Sequence, residues 1–521
     1  MYMRRIALLA VSTILVVLGV LAFGSSGEKA PPQAGSATLH QRTFRHVPVV
    51  MVVFDEFPVA SLMNTNGNID GALFPSFRRL QEDSIWFRNA TAVATFTKYA
   101  VPALLTGQYQ EPTSSPETYP ANIFTILGDA YGIHTIEPLP GICPSDLCDS
   151  RAPNRIGSQL QEELGAFANY DRGANFAAFL EKIEAVDEPR FYFLHLVIPH
   201  SPWRYLPSGR RYPESEPIPG QVELPGPGRG WIDDKWLVTQ AFQRHLLQVR
   251  LVDKMVGTLI HRLKRLNLYR KSALIVTADH GLAFEPGFPK RVVEKKTIGD
   301  LTAVPLFVKP PYRAPGRISD VPVETTDIVP TVADLLNLSD VWRGIDGTSA
   351  LDGSIEPTRV RTVNGIEVDP GGSEKYTLVR QKYRSFASRG DRLDLFRTAP
   401  GRGERLIGRS IDELSVASPD GQTAYVKNGR RFRKTTPNAE PFPAILQGTI
   451  NGAGQRRVKV AVAVNGRIAA VTRSFDDRGT ARFYCMLPPK AFGKPPNELE
   501  LFLVEDVAAG TLSMLTMKTG L

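Results

Sequence analysis

Residues 272–281 read SALIVTADHG. The apolar, largely β-branched run Ala273–Ala278 stops abruptly at Asp279, His280 and Gly281. A run of that length and composition reads as a buried strand. The residues that end it are two metal-ligand types followed by a flexible one. Working outward, the segment before it, QRHLLQVRLVDKMVGTLIHRLKRLN, repeats apolar residues at the three-to-four spacing of an amphipathic helix. VPVVMVVF, FYFLHLV and AVPLFVK are further β runs, and FPSFRRLQEDS is helical in pattern. Continuous apolar strands separated by amphipathic helices predict an α/β fold, a mostly parallel sheet sandwiched by helices.

In such a sheet, ligands bind beyond the carboxyl ends of the strands. VVMVVF ends in Asp55-Glu56, FYFLHLV leads into IPHSPW with His200, and ALIVTA ends in Asp279-His280. An Asp after a strand is often only a helix cap, but three strands bringing acids and imidazoles to one edge point to a metal or catalytic centre. His195 alternates within an apolar run and reads as a core histidine. In TFTKYAVPALLTG (95–107), a short helix is expected from about Pro102 to Gly107. Thr97 lies just before it, where helix N–H groups can hold an anion, and Thr95 is its rival.

The flanks set the organisation. MYMRR precedes an uncharged apolar stretch, Ile6–Phe23, just long enough to span a bilayer. Residues 1–24 are therefore expected to be a cytoplasmic tip and transmembrane anchor, with a cleaved signal peptide as the alternative. Both readings place the remainder outside the cytoplasm, membrane-anchored or secreted. Residues 25–46 read as a linker, and the Pro- and Gly-rich segment 206–230 as a long loop. The main domain is expected over 47–418, with a smaller subdomain from about 355. A small antiparallel β domain follows over 430–521, where Val458, Val460, Val462 and Val464 alternate before an Asn465-Gly466 turn. Cys143 and Cys148 are expected to form a loop disulfide, and Cys485 to pack as an apolar residue.

Of the 521 residues, 42% are hydrophobic and 22% charged, as in a globular protein. The net charge of +9 suits anionic partners but reads first as a solvated basic surface, and nucleic acid is not expected as a partner.

The order of these motifs resembles the alkaline phosphatase superfamily, specifically its sulfatase-like branch. Asp55 after the first strand, LLTG (104–107), PHSPW (199–203), TADHG (277–281), VPLFVKPP (304–311) and DIVPTVADLLNL (327–338) follow in sequence, and IDGTSAL closes at 351. The resemblance runs from about residue 47 to about 415. Sulfatases carry a C-x-P-S-R cysteine seven residues before the first Leu of LLTG. Here that position is Thr97, followed by Lys98, Tyr99, Ala100 and Val101. Threonine cannot become formylglycine, but it matches the nucleophile of the phospho-transferring branches. No histidine follows His280, so the two-zinc site of alkaline phosphatases cannot be completed.

The resemblance to lipoteichoic acid synthase-type phosphotransferases implies one divalent metal, Mn, Mg or Ca with Zn as a further candidate. Its implied ligands are Asp55, Thr97, Asp279 and His280, with Glu56 as an additional candidate. Thr97 and His200 are the implied catalytic residues, and His200, Lys98, Lys295 and Lys296 the implied substrate contacts. Asp253 and Asp327 read as structural. The expected activity is cleavage of a phosphodiester or phosphomonoester on a lipid or cell-envelope headgroup. The alternatives are a sulfatase acting without formylglycine on a sulfated small molecule, lipid or glycan, and a non-catalytic envelope-binding relative.

Overall fold

The computed structural model describes residues 45–519 apart from 111–118, 149–169, 214–217, 224–228, 313–314, 339–343, short stretches between 354 and 391, residue 420 and residues 454–456. The apolar N-terminal run lies outside the described residues, and among those described no helix is long and apolar enough to cross a membrane.

In chain order the main domain contains β1 (Val49–Asp55), α1 (Pro75–Glu82), β2 (Ile85–Phe87), α2 (Thr97–Thr106) and β3 (Gly132–Ile136). It continues with α3 (Arg172–Lys182), β4 (Arg190–Pro199), α4 (Lys235–Arg265), β5 (Ala273–Ala278), β6 (Leu306–Lys309) and β7 (Arg317–Ser319). These strands form one sheet in the order β3-β4-β1-β5-β6-β2-β7. The four strands β3, β4, β1 and β5 are mutually parallel. β6 runs antiparallel to both neighbours, β5 and β2. The expected mostly parallel sheet is thus present, with AVPLFVK reversed within it.

All seven residues of β1 are buried, which is why that strand shows no polar alternation. α1 begins with Pro75, whose missing N–H has no helical role at that position. Asp253 of α4 accepts from the N–H groups of Ser76 and Phe77, both at 2.9 Å, and so caps α1 from a neighbouring helix. Asp327 similarly accepts from Thr348 N and Glu324 N at 2.8 Å.

Within 206–230 the chain is not wholly a loop, because Gln221–Glu223 pairs with Arg229–Trp231 as a short ribbon. Cys143 and Cys148 are disulfide-bonded. Cys485 is a buried thiol pushed up to about 12 by burial.

The C-terminal region forms two five-stranded sheets. Strands Lys459–Val464 and Arg467–Arg473 pair antiparallel across Asn465-Gly466, and both turn residues have positive φ, 51° and 72°. Most other pairings are also antiparallel, but Ser415–Ala417 pairs in parallel with Thr511–Met514, and Thr423–Val426 has one antiparallel neighbour, Ile445–Asn451, and one parallel neighbour, Thr516–Thr519. The β unit therefore begins near 415, somewhat before the expected 430. Val460, Val462 and Val464 face the large core, and Ala461 and Ala463 face a second cluster with Leu406 and Phe502. This unit is fixed to the main domain at the start of α4. There Asp234 caps the helix through Trp236 N and Leu237 N and also accepts from Arg473 at 2.6 and 2.7 Å.

Candidate metal and catalytic centre

Strand register builds the centre. Val53 of β1 is aligned with His195 of β4 and Thr277 of β5. Asp55 and Asp279 lie two residues beyond Val53 and Thr277, on the same face of the pleat. One ligand atom each from Asp55, His195 and Asp279 lies within 4.8 Å of the others, and all three residues are buried. His280 Nε2 is 4.0 Å from Asp55 Oδ1 and 3.6 Å from Asp279 Oδ2. Thr97 Oγ1 is 3.4 Å from the same His280 nitrogen, with Thr97 only 1% exposed.

Both imidazoles are oriented by carbonyls. His280 Nδ1 donates to Gly281 O and His195 Nδ1 to Leu139 O, each at 2.8 Å. A carbonyl only accepts, so in the neutral form of each ring the lone pair lies on Nε2. Burial holds His195 below the ordinary histidine range and keeps it neutral. The loop that supplies Leu139 is braced by Glu137, whose carboxylate accepts from Gly141 N and Ile142 N at 3.1 Å and Cys143 N at 3.3 Å.

The site fits a divalent cation on its own geometry. Asp279 Oδ2 and His195 Nε2 are buried acceptors with no hydrogen-bond partner among the described residues. Two close carboxylates and lone-pair imidazole nitrogens form a mixed O/N donor set of the kind Mn²⁺ or Zn²⁺ accepts.

Gly281 has a steric reason to follow the pair. Its N–H donates to Leu301 O at 2.7 Å, and a Cβ there would lie 1.9 Å from the Asp300 carbonyl oxygen. Gly281→Ala must shift backbone and carry His280 with it. We expect a loss of about 1–3 kcal/mol in urea unfolding, together with loss of activity.

Beside the cluster sits an ion-paired group that joins the expected Glu56 and His200 to Arg291. Glu56, at φ 59°, turns its carboxylate away from the three-residue group. Its Oε1 accepts from Arg291 Nε at 2.8 Å and its Oε2 from Ser201 N at 3.2 Å. Arg291 also donates to His200 Nε2 at 2.6 Å, while His200 Nδ1 donates to the Ser201 carbonyl. Both ring nitrogens of His200 are therefore engaged, and burial pulls the imidazole down to about 3. Burial opposes ionisation of Glu56, but the field of His200, Arg291 and Lys290 outweighs it and holds the carboxyl well below the usual range. With His200 neutral, that ionisation rests on Arg291 and Lys290.

The structure places the expected residues unequally. Asp55, Asp279, His280 and Thr97 come together, His200 and Glu56 form the adjoining group, and His195, expected to be core, faces Asp55 Oδ2 at 4.0 Å. Lys98 is exposed and lies over the Tyr99 ring. Lys295 and Lys296 are also exposed, and Lys296 reaches Glu285 at 3.7 Å. The cations that do reach the site precede them in the same segment: Arg291, and Lys290, which burial pulls down to about 8. Arg291 lies 5.6 Å from the Phe96 ring, and its carbonyl accepts from Thr95 Oγ1 at 3.0 Å. That contact engages Thr95 and leaves Thr97 as the hydroxyl facing His280.

The helix bearing Thr97 also starts earlier than expected. α2 runs from Thr97 with Pro102 inside it and ends at Gly107, a left-handed C-cap with φ 73°. Pro102 deletes the one bond that would reach back to Lys98, and the burial of Val101, Leu104 and Leu105 offsets that loss.

Comparison with known proteins adds three findings. The family description "Sulfatase" matches residues 48–338. An endo-4-O-sulfatase of Bacteroides thetaiotaomicron is 24% identical over 159 residues, 29% of this chain and 30% of that protein. The chain thus matches less than a third of the length of that curated relative. Among solved structures, the phosphonate monoester hydrolase of Silicibacter pomeroyi is similar at 18% identity and a TM-score of 0.41, over 58% of this chain and 76% of that one. The phosphonate monoester hydrolase of Agrobacterium radiobacter is similar at 16% and 0.42, with the same coverage.

Proposed function

Because the chain belongs to the sulfatase family, we propose that it is a metal-dependent hydrolase or transferase that cleaves a phosphoester with Thr97 as its nucleophile. The observation that carries this reading is the Thr97 hydroxyl at the start of α2, 3.4 Å from His280 Nε2 and beside the buried acids. Asp55, Asp279 and His280 would hold one divalent cation, with His195 as a further donor and Thr97 Oγ1 facing the same space. A cation bound there supplies positive charge that lowers the pKa of the hydroxyl and draws electrons from the ester.

The chain's own groups perform the rest. The start of α2 holds the Thr97 hydroxyl in place, 3.4 Å from His280 Nε2. Thr97 Oγ1 gives up its proton to solvent and forms a bond to phosphorus, while the bond from phosphorus to the alcohol oxygen breaks and that oxygen takes up a proton from solvent. Water or an acceptor alcohol then displaces Thr97 Oγ1 from phosphorus, and the Thr97 hydroxyl is restored by reprotonation. Arg291, fixed by Glu56 and His200, faces the developing charge. His200 acts by holding that guanidinium. Arg291→Met would leave the Glu56 carboxylate buried without its cation, costing about 3 kcal/mol of stability. It should also raise KM for an anionic ester, and thermal unfolding with steady-state kinetics checks both effects.

A sulfate ester is the second reading, favoured by the family match and by the likeness to an endo-4-O-sulfatase. Parallel assays of bis-p-nitrophenyl phosphate and p-nitrophenyl sulfate, with Mn²⁺ or with chelator, separate the two. Phosphodiester turnover above sulfate turnover supports the first reading, and the reverse order replaces it with the second. The apolar run Ile6–Phe23 supports an extracytoplasmic, membrane-anchored placement, and with it a lipid or envelope headgroup as substrate.

A further inference from the structure

The C-terminal β unit carries a basic feature that the catalytic reading does not use. Residues 427–434 read KNGRRFRK, a concentration of cations that whole-chain composition conceals. Arg430, Arg431, Arg433 and Lys434 are exposed, and none forms an ion pair among the described residues. Next to them lies a crevice of about 240 Å³. Lys427 and Arg431 supply its cations, Asn428 and Gln447 its amides, Phe432 an apolar wall and Pro213 its far side. Tyr425, 43% exposed, lies on the strand Thr423–Val426 that leads into Lys427, and its register partner on the neighbouring strand is Lys518.

This chemistry fits one kind of partner. A membrane-docking face needs protruding apolar side chains around its cations. Here two cations flank a concavity whose amide groups suit the hydroxyls of a sugar. The volume is below the roughly 300–1,000 Å³ of pockets for drug-sized molecules and suits a single anionic sugar unit of a longer chain. The crevice is also tied to the centre. The loop that leaves the sheet edge at His200 reaches it at Pro213. On the way Arg211 O accepts from Phe442 N at 2.9 Å, and Arg210 donates to Ala439 O at 3.4 Å.

We propose that this crevice is an accessory binding site for an anionic glycan, a sugar chain bearing sulfate or phosphate esters, and that it retains the polymer while another ester occupies the catalytic centre. The second half of that statement rests on the function proposed above, whereas the binding itself does not.

The test is calorimetric titration of the full chain with a heparin-derived hexasaccharide at physiological salt. Lys427→Ala/Arg431→Ala should weaken binding roughly tenfold, the equivalent of one good charge-assisted contact, and Arg431→Gln alone should weaken it about threefold. Arg265→Ala/Lys271→Ala, which removes the same charge from exposed positions elsewhere, should bind as wild type does. All three variants should turn over bis-p-nitrophenyl phosphate normally. No binding by the wild type, or equal losses in the control variant, overturns the proposal. So does tighter binding of phosphatidylglycerol vesicles or single-stranded DNA through the same two residues. A Thr97→Ala protein should bind the hexasaccharide fully, so a failure of the catalytic reading leaves the glycan site standing.

Discussion

Thr97→Ala should lower kcat for a phosphodiester by at least about 10⁴-fold, the scale seen when a nucleophile is removed from an otherwise intact site. The substitution deletes a hydroxyl and little volume from a position that is 1% exposed, so folding and metal content should not change. Thr97→Ser keeps the oxygen at the start of the helix and should retain activity within about tenfold of wild type. Thr95→Ala removes only a bond to the Arg291 carbonyl and should leave kcat within about threefold. This order, with Ser tolerated, Ala fatal and Thr95 nearly silent, separates a nucleophile from a residue that merely packs. Loss of activity in Thr95→Ala with survival of Thr97→Ala would reverse the assignment. Steady-state kinetics on all three variants, with metal content measured on each, decides it.

The second large effect concerns the cation. Asp55 and Asp279 are buried carboxylates that a divalent ion would share. Binding to the folded state alone should stabilise it by about 2.7 kcal/mol at a hundredfold excess over Kd. Mn²⁺ should therefore raise the unfolding temperature of chelator-treated protein by several degrees, and chelator should lower that of the metal-loaded form. Asp279→Asn should abolish the shift. His195→Gln, which replaces a lone-pair nitrogen facing Asp55, should weaken metal affinity about 10- to 100-fold. Calorimetric metal titration reads both variants without reference to turnover. A wild-type unfolding temperature indifferent to divalent ions would remove the metal from the account.

The sheet edge was legible in the sequence because each strand that builds it is a continuous apolar run ending in a polar residue. Ala273–Ala278 is a strand over the very residues the pattern marks, followed at once by Asp279 and His280. The chain could be read there because full burial leaves no polar alternation to confuse the period. His195 was harder. Within FYFLHLV it looks like one more core residue, and its Nδ1 is indeed satisfied by a carbonyl. What gives it a role is register, since pairing with Val53 puts it on the face shared by Asp55. Register between strands far apart in sequence is not written in either strand alone.

The cation that pairs with Glu56 beside the centre is Arg291, whereas the expected Lys295 and Lys296 are exposed. No periodic pattern governs a loop, and the choice there depends on which side chain reaches the buried Glu56 carboxylate. α2 starts five residues before the expected Pro102, because Pro102 signals a helix beginning only in isolation, whereas packing of the surrounding apolar residues carries the helix through it.

The most direct test of the central claim is to quench the metal-loaded enzyme during turnover of bis-p-nitrophenyl phosphate and map the modified peptide by mass spectrometry. The account predicts a phosphoryl ester on Thr97, formed only with metal present and absent from Thr97→Ala. Turnover accompanied by an adduct on another residue, or by none in a quench fast enough to catch the first cycle, would contradict it.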